Sequence, residues 1–209
     1  ETLILAWGLE NSAISVSHYE YAVGLSPGES ETVDWTDNGT DTTVTIPGLT
    51  LVDGSTYFGS IRAYNNDGNA SQAYSGDGIT IDASSPVSGT IIEGDTIDID
   101  YTSNAETLQL TWSGFSDENS GLSHYEYGLG RSPGADDMVS FTETTDTSAV
   151  LEADLVDGTT YYGIVRAYDV AGNVSENVIG DGVMLDISPP QAGAVIDGLE
   201  QDNDYINNT

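Results

Sequence analysis

Carboxylates are the one abundant set of ligand atoms in this chain: 35 Asp and Glu stand against 3 Lys and Arg, for a net charge of −32. Several fall close together. Asp117 and Glu118 share one predicted loop, Asp136 and Asp137 another, and Glu93, Asp95, Asp98 and Asp100 lie where one half of the chain passes into the next. Hard divalent cations, calcium above all, take about six to eight oxygen ligands, so calcium is the cofactor these residues admit. None of the spacings matches the calcium loop Asp-x-Asp-x-Asp-Gly. The competing reading is a solvated acidic surface that keeps the protein dispersed.

Other chemistry has little material. His18 and His124 are the two histidines and cysteine is absent, which is poor stock for a zinc site or a nucleophile–base pair. Gly76-Asp77-Gly78 and Gly180-Asp181-Gly182 sit between strand-like segments, without the helix a phosphate loop needs. No catalytic constellation is present, and the chain reads as a non-enzyme. The acidic balance argues against nucleic acid or anionic lipid, which call for clustered Lys and Arg. No apolar run approaches the roughly 20 residues that cross a bilayer, so no membrane insertion is expected. Arg62 and Arg166 are predicted to pair with carboxylates on their own sheets. Asn38, Asn69, Asn173 and Asn207 open Asn-x-Ser/Thr sequences, which makes them candidate glycosylation sites.

The elements that would position these groups come in two copies. Glu1-Thr2-Leu3-Ile4-Leu5-Ala6-Trp7 matches Glu106-Thr107-Leu108-Gln109-Leu110-Thr111-Trp112, and His18-Tyr19-Glu20-Tyr21 recurs as His124-Tyr125-Glu126-Tyr127. Arg62-Ala63-Tyr64 returns as Arg166-Ala167-Tyr168, at an offset that drifts only between 104 and 106 residues. That period exceeds the roughly 20 to 50 residues of a solenoid repeat and suits a small complete domain. Within each copy apolar residues alternate with polar ones, and no stretch holds a helical period. Leu3, Leu5 and Trp7 share one strand face. Tyr19, Tyr21 and Val23 share the next, and long strands are expected over Thr56–Tyr64 and about Ala73–Asp82. Turn chemistry such as Asp37-Asn38-Gly39 separates them. The fold class expected is all-β: two tandem antiparallel sandwiches.

A Leu six residues before a Tyr with a Gly turn between, Leu51-Val52-Asp53-Gly54-Ser55-Thr56-Tyr57 and Leu155-Val156-Asp157-Gly158-Thr159-Thr160-Tyr161, resembles the tyrosine corner of fibronectin type III domains. Trp7 and Trp112 on the early strand, and the Gly-Asn-x-Ser loops at Gly68 and Gly172, resemble the same family. Asp53 and Asp157 depart from it, standing where proline is usual. The resemblance, to fibronectin type III-like or immunoglobulin-like tandem domains of bacterial or archaeal surface proteins, implies a seven-stranded spacer or binding domain with Trp7, Trp112, Tyr57 and Tyr161 in structural roles. It does not imply catalysis.

The copies are out of phase with the fold. Val87–Glu93 and Thr96–Tyr101 read as a first strand broken at Gly94, preceding Leu108–Trp112. Glu1, in contrast, already opens the second strand. The counterpart lies at the far end, where Gln191–Gly198 and Asp204–Ile206 have a strand pattern. The expected layout is therefore a first sandwich over residues 1–85 without its own first strand, a second over 86–187, and a segment 188–209 belonging to a following module. Ala194, Val195, Ile196, Tyr205 and Ile206 become candidate strand donors. An unfilled edge is a route to association: the following module of a longer polypeptide uses segment 188–209 covalently, or the segment is donated to a neighbouring copy, head to tail. These observations converge on an extracellular or cell-surface structural module of an array or filament, joined by strand complementation. The alternative is an adhesin or carbohydrate-binding module working through loop tips, for which Trp35 is the candidate platform.

Overall fold

A computed structural model describes residues 1–8 and 15–193, and over them the chain is all-β. Seven strands fall in the first copy: β1 (Thr2–Ala6), β2 (His18–Gly24), β3 (Val33–Asp37), β4 (Thr43–Pro47), β5 (Thr56–Tyr64), β6 (Tyr74–Ser75) and β7 (Ile79–Thr80). The second copy adds β8 (Thr90–Glu93), β9 (Tyr101–Thr102), β10 (Thr107–Ser113), β11 (Leu122–Gly130) and β12 (Val139–Thr144). It ends with β13 (Ser148–Glu152), β14 (Thr160–Asp169), β15 (Val178–Ile179) and β16 (Val183–Leu185).

Alternation builds the sandwich faces. Along β10 the side chains of Leu108, Leu110 and Trp112 are buried while Thr107, Gln109 and Thr111 between them are only half-buried, as expected for a strand with one core-facing side. The facing sheet contributes Leu129, Tyr161, Val165, Ala167, Val183 and Leu185 to the same cluster. In the first copy Leu3, Val23, Ile46 and Tyr57 form the smaller equivalent. A bulge between Tyr21 and Val23 shifts the β2 register, so Ala22 is buried together with Tyr19 and Val23.

The sheets differ between copies at one edge. In the second, β13-β10-β8 faces β12-β11-β14-β16-β9, with β15 also on β14. In the first, β3-β2-β5-β6 with β7 on β5 faces only the pair β1-β4. The long strand expected over Ala73–Asp82 is instead two short pieces. Ser75 pairs with Ser60 and Ile79 with Tyr57, which leaves three residues opposite two and forces a bulge over Gly76–Gly78. The same register recurs at Ile179↔Ile164 and Val183↔Tyr161.

The break at Gly94 also does more than interrupt a strand. Gly94 has φ 147°, and a Cβ there would lie 2.2 Å from the Ile97 carbonyl oxygen, so a side chain is excluded. The turn sends the chain across the sandwich: β8 pairs antiparallel with β10, whereas β9 pairs parallel with β16 in the opposite sheet. Thr96–Asp100, expected as strand, is this crossing.

The tyrosine corners form as the resemblance implies. Val52 N–H donates to the Tyr57 hydroxyl at 2.9 Å, and Val156 N–H to that of Tyr161 at 2.8 Å. Aspartate at the proline position ties down the exit of each copy. Asp53 accepts from Ala83 N–H and the Ser84 hydroxyl, and Asp157 from Ile187 N–H and the Ser188 hydroxyl. Replacing Tyr161 by Phe strands the Val156 N–H, so Tyr161→Phe is expected to cost about 1–3 kcal/mol in urea unfolding. A change below ~0.3 kcal/mol would show that the corner bond carries no stability.

Candidate functional site

The feature that sets the first copy apart is a groove of about 490 Å³ along the free edge of β1. Its lining includes Leu5, Trp7, Gly59, Ile61, Tyr74 and Asp77. Among the described residues the outer edge of β1 has no strand partner, and its inner edge pairs with β4. The second copy serves as an internal control. There β8 lies on β10, with Trp112 opposite Ile91 and Leu110 opposite Glu93. Gly163, the counterpart of Gly59, comes within contact of Ile91 as well as Leu110.

Burial follows the strand. Leu110, Trp112 and Val165 are buried, whereas their first-copy counterparts Leu5, Trp7 and Ile61 are only half-buried. Val183 is fully buried while its counterpart Ile79 is 50% exposed, and Tyr74 is 74% exposed. Fully burying one large apolar side chain contributes roughly 1.5–3 kcal/mol. A strand laid along β1 would therefore gain a fraction of such an increment at each of these half-buried positions as well as a ladder of backbone hydrogen bonds. The candidate donors Ala194, Val195, Ile196, Tyr205 and Ile206 lie outside the described residues.

The structure sorts the predicted carboxylates. Asp98 joins Glu93 and Asp181, with ligand oxygens within 4.8 Å of one another, and Asp117 joins Asp82 and Asp169 in the same way. Asp95, Asp100, Glu118, Asp136 and Asp137 stand outside both groups, and Asp137 pairs instead with Arg131 at 3.4 Å. No local spacing marks Asp82, Asp169 or Asp181 as partners in these groups, because each is brought to its group by a contact distant in sequence. In the Asp82 group many oxygens already have partners. Asp117 accepts from Ser120 and Gly121 N–H, and Asp169 from Gly172 and Asn173 N–H. Asp82, Asp117 and Asp169 nonetheless bridge the two copies, since the Asn173 amide donates to both Asp169 Oδ2 and the Asp82 carbonyl.

Among the described acids Glu93 is fully buried and Asp169 nearly so. Burial pushes the Glu93 carboxyl above the ordinary carboxylate range, Gly163 N–H pulls the other way, and the nearby Asp98 and Asp181 push it up further. Asp157 is shifted oppositely: the Ile187 N–H first, and the Ser188 hydroxyl next, hold it below its usual value. Ala83 and Ser84 do the same for Asp53.

The remaining candidates occupy structural places. Each of the two sheet arginines pairs as expected, Arg62 Nε donating to Glu20 at 2.7 Å and Arg166 Nε to Glu126 at 2.8 Å. The Arg62 guanidinium lies 4.3 Å over the Trp35 ring and that of Arg166 4.2 Å over Phe141. One face of Trp35 is thus covered by the guanidinium. His18 stacks on Tyr64 and His124 on Tyr168. Of the candidate glycosylation sites, the Asn38 amide donates to Asp41 and Thr43 carbonyls and that of Asn173 is held at the junction. Asn69 is exposed, and Asn207 lies outside the described residues.

No family model matches the chain, and no curated protein matches it. Many solved structures resemble it, two of which illustrate the likeness. The FN1-FN3 domains of chicken CNTN1 are 16% identical with a TM-score of 0.41, covering 88% of this chain and 62% of that one. Domains A168-A170 from titin are 14% identical with a TM-score of 0.50, covering 88% and 59%. The chain spans about three-fifths of the length of each of these structures. The facing antiparallel sheets and the likeness to the titin domains give the fold as a fibronectin type III- or immunoglobulin-like β-sandwich. At these identities the likeness extends to fold alone.

The two capping aspartates set a pH dependence. A carboxyl with a depressed folded pKa contributes stability that is present above its unfolded value, about 3.9, and lost as pH falls through the folded one. Asp157→Asn is therefore expected to lower the melting temperature at pH 7 and to flatten its decline below about pH 4. Parallel melting curves of variant and wild type from pH 7 to 2 would show that the cap contributes nothing.

Proposed function

We propose that this chain is a structural module joined head to tail by strand complementation, each first sandwich taking its missing strand from a neighbouring copy. The observation that carries this reading is the groove at β1, present where the second copy has β8. The segment Ala194-Val195-Ile196-Asp197-Gly198 aligns with Thr90-Ile91-Ile92-Glu93-Gly94 at an offset of 104 residues. That is the pattern that fills the equivalent position in the second copy. Sheet-edge addition draws affinity from main-chain hydrogen bonds and register from alternate side chains in pockets. A strand laid on β1 as β8 lies on β10 would set Val195 in the place of Ile91.

Sandwiches of this class are commonly structural or adhesive modules, often extracellular and typically without catalysis. A surface array or filament outside the cell suits the acidic, solvated exterior. Adhesion through loop tips has weaker support, because the Arg62 guanidinium covers a face of Trp35.

Analytical ultracentrifugation tests the reading. The full chain is expected to form concentration-dependent oligomers, while Val195→Asp, and deletion of residues 188–209, leave folded monomers. Monomeric wild type at all concentrations, or unchanged assembly in either variant, would overturn it.

A further inference from the structure

β8 ends on Glu93, and its side chain has no solvent exposure. One carboxylate oxygen accepts the Gly163 N–H at 2.9 Å. The other, Oε2, is buried and meets no hydrogen-bond donor. Gly180 presses against this carboxylate so closely that a Cβ there would lie 1.9 Å from Oε1. A charged group in such a place is costly unless something compensates it, and the neighbours that share the site, Asp98 and Asp181, are themselves acidic.

The protein has no cation to spare for the task. The chain holds only 3 Lys and Arg, and all are engaged: Arg62 with Glu20, Arg131 with Asp137 and Arg166 with Glu126. Both histidines are stacked on tyrosines elsewhere. The donor set is oxygen alone, which excludes the nitrogen and sulfur ligation that zinc prefers. Asp98 is preset by its Oδ1, which accepts the Glu93 N–H at 2.9 Å, and Ile99 N–H closes the turn on the Glu93 carbonyl.

We propose that Glu93, Asp98 and Asp181 bind a divalent cation of the calcium class, which fastens the first strand of the second sandwich to the β15–β16 corner. Calcium tolerates irregular carboxylate geometry and bidentate ligands, whereas magnesium demands a near-ideal octahedron. A buried Glu flanked by two exposed Asp on loops suits the former. The remaining coordination would be completed by water.

The chain repeats the set at one offset. Glu93, Asp98 and Asp181 correspond to Asp197, Asp202 and Asp77, each 104 residues away. Asp77 lines the β1 groove.

The test uses the full chain, stripped with chelator and titrated with calcium chloride or magnesium chloride alone at low ionic strength. Differential scanning calorimetry and isothermal titration calorimetry give the readouts. Calcium is expected to bind and to raise the melting temperature, with magnesium at least tenfold weaker. Glu93→Gln, which keeps the shape of the buried group, and the exposed change Asp181→Asn should each weaken calcium binding tenfold or more. Asp136→Asn, outside either group, should leave it unchanged. No calcium response, an equal response to magnesium, or a wild-type response in Asp181→Asn would overturn the site. Val195→Asp separates the two readings: it should abolish assembly yet keep calcium binding at Glu93, so failure of one leaves the other standing.

Discussion

Backbone groups at the edge of a sheet need partners, and this constraint organises the molecule. In the second sandwich the need is met by β8, which pairs with β10 and, by covering it, lets Leu110, Trp112, Val165 and Val183 leave solvent together. The first sandwich has the same second strand, the same facing sheet and the same tyrosine corner, but among the described residues β1 pairs only with β4. Its core is correspondingly smaller. The two copies thus show, within one chain, what a single strand contributes to a sandwich of this class.

The crossing at Gly94 is what makes that strand more than an edge. By turning where no side chain is tolerated, it delivers β8 to one sheet and β9 to the other, so the first strand clasps both layers. The bulge at Gly180–Gly182 belongs to the same construction. It splits the last strand into β15 and β16 and brings Asp181 to Glu93. β8 thus lies against both the hydrophobic core and the acidic cluster.

Charge shapes the rest. With so few cations, each arginine is committed to a local pair, and two of them are also stacked on aromatics. The Arg62 and Arg166 pairs are half-buried, whereas the exposed Arg131–Asp137 pair is of the kind that stabilises by at most about 1 kcal/mol. Carboxylates elsewhere find backbone N–H donors instead, as Asp53 and Asp157 do at the exits of the copies. Those caps take over the stiffening expected of proline at the same position.

The amino-acid sequence alone determined the repeat, the all-β class, the tyrosine corners and the phase of the strands, because all of these rest on local alternation and on similarity at fixed spacing. It also placed the arginine–carboxylate pairs on their sheets. It did not reveal the split of the last strand, since a bulge depends on which residues lie opposite across the ladder. Nor did it show that the halves of the first strand enter different sheets. The acidic sites were half legible: Asp98 and Asp117 stood out by their neighbours in sequence, but Asp181, Asp82 and Asp169 are joined to them only by folding. Short motifs report what the backbone does over a few residues. Which oxygens meet, which strand edge stays open and which carboxylate is buried are settled by packing between distant segments, and only the tertiary structure decides them.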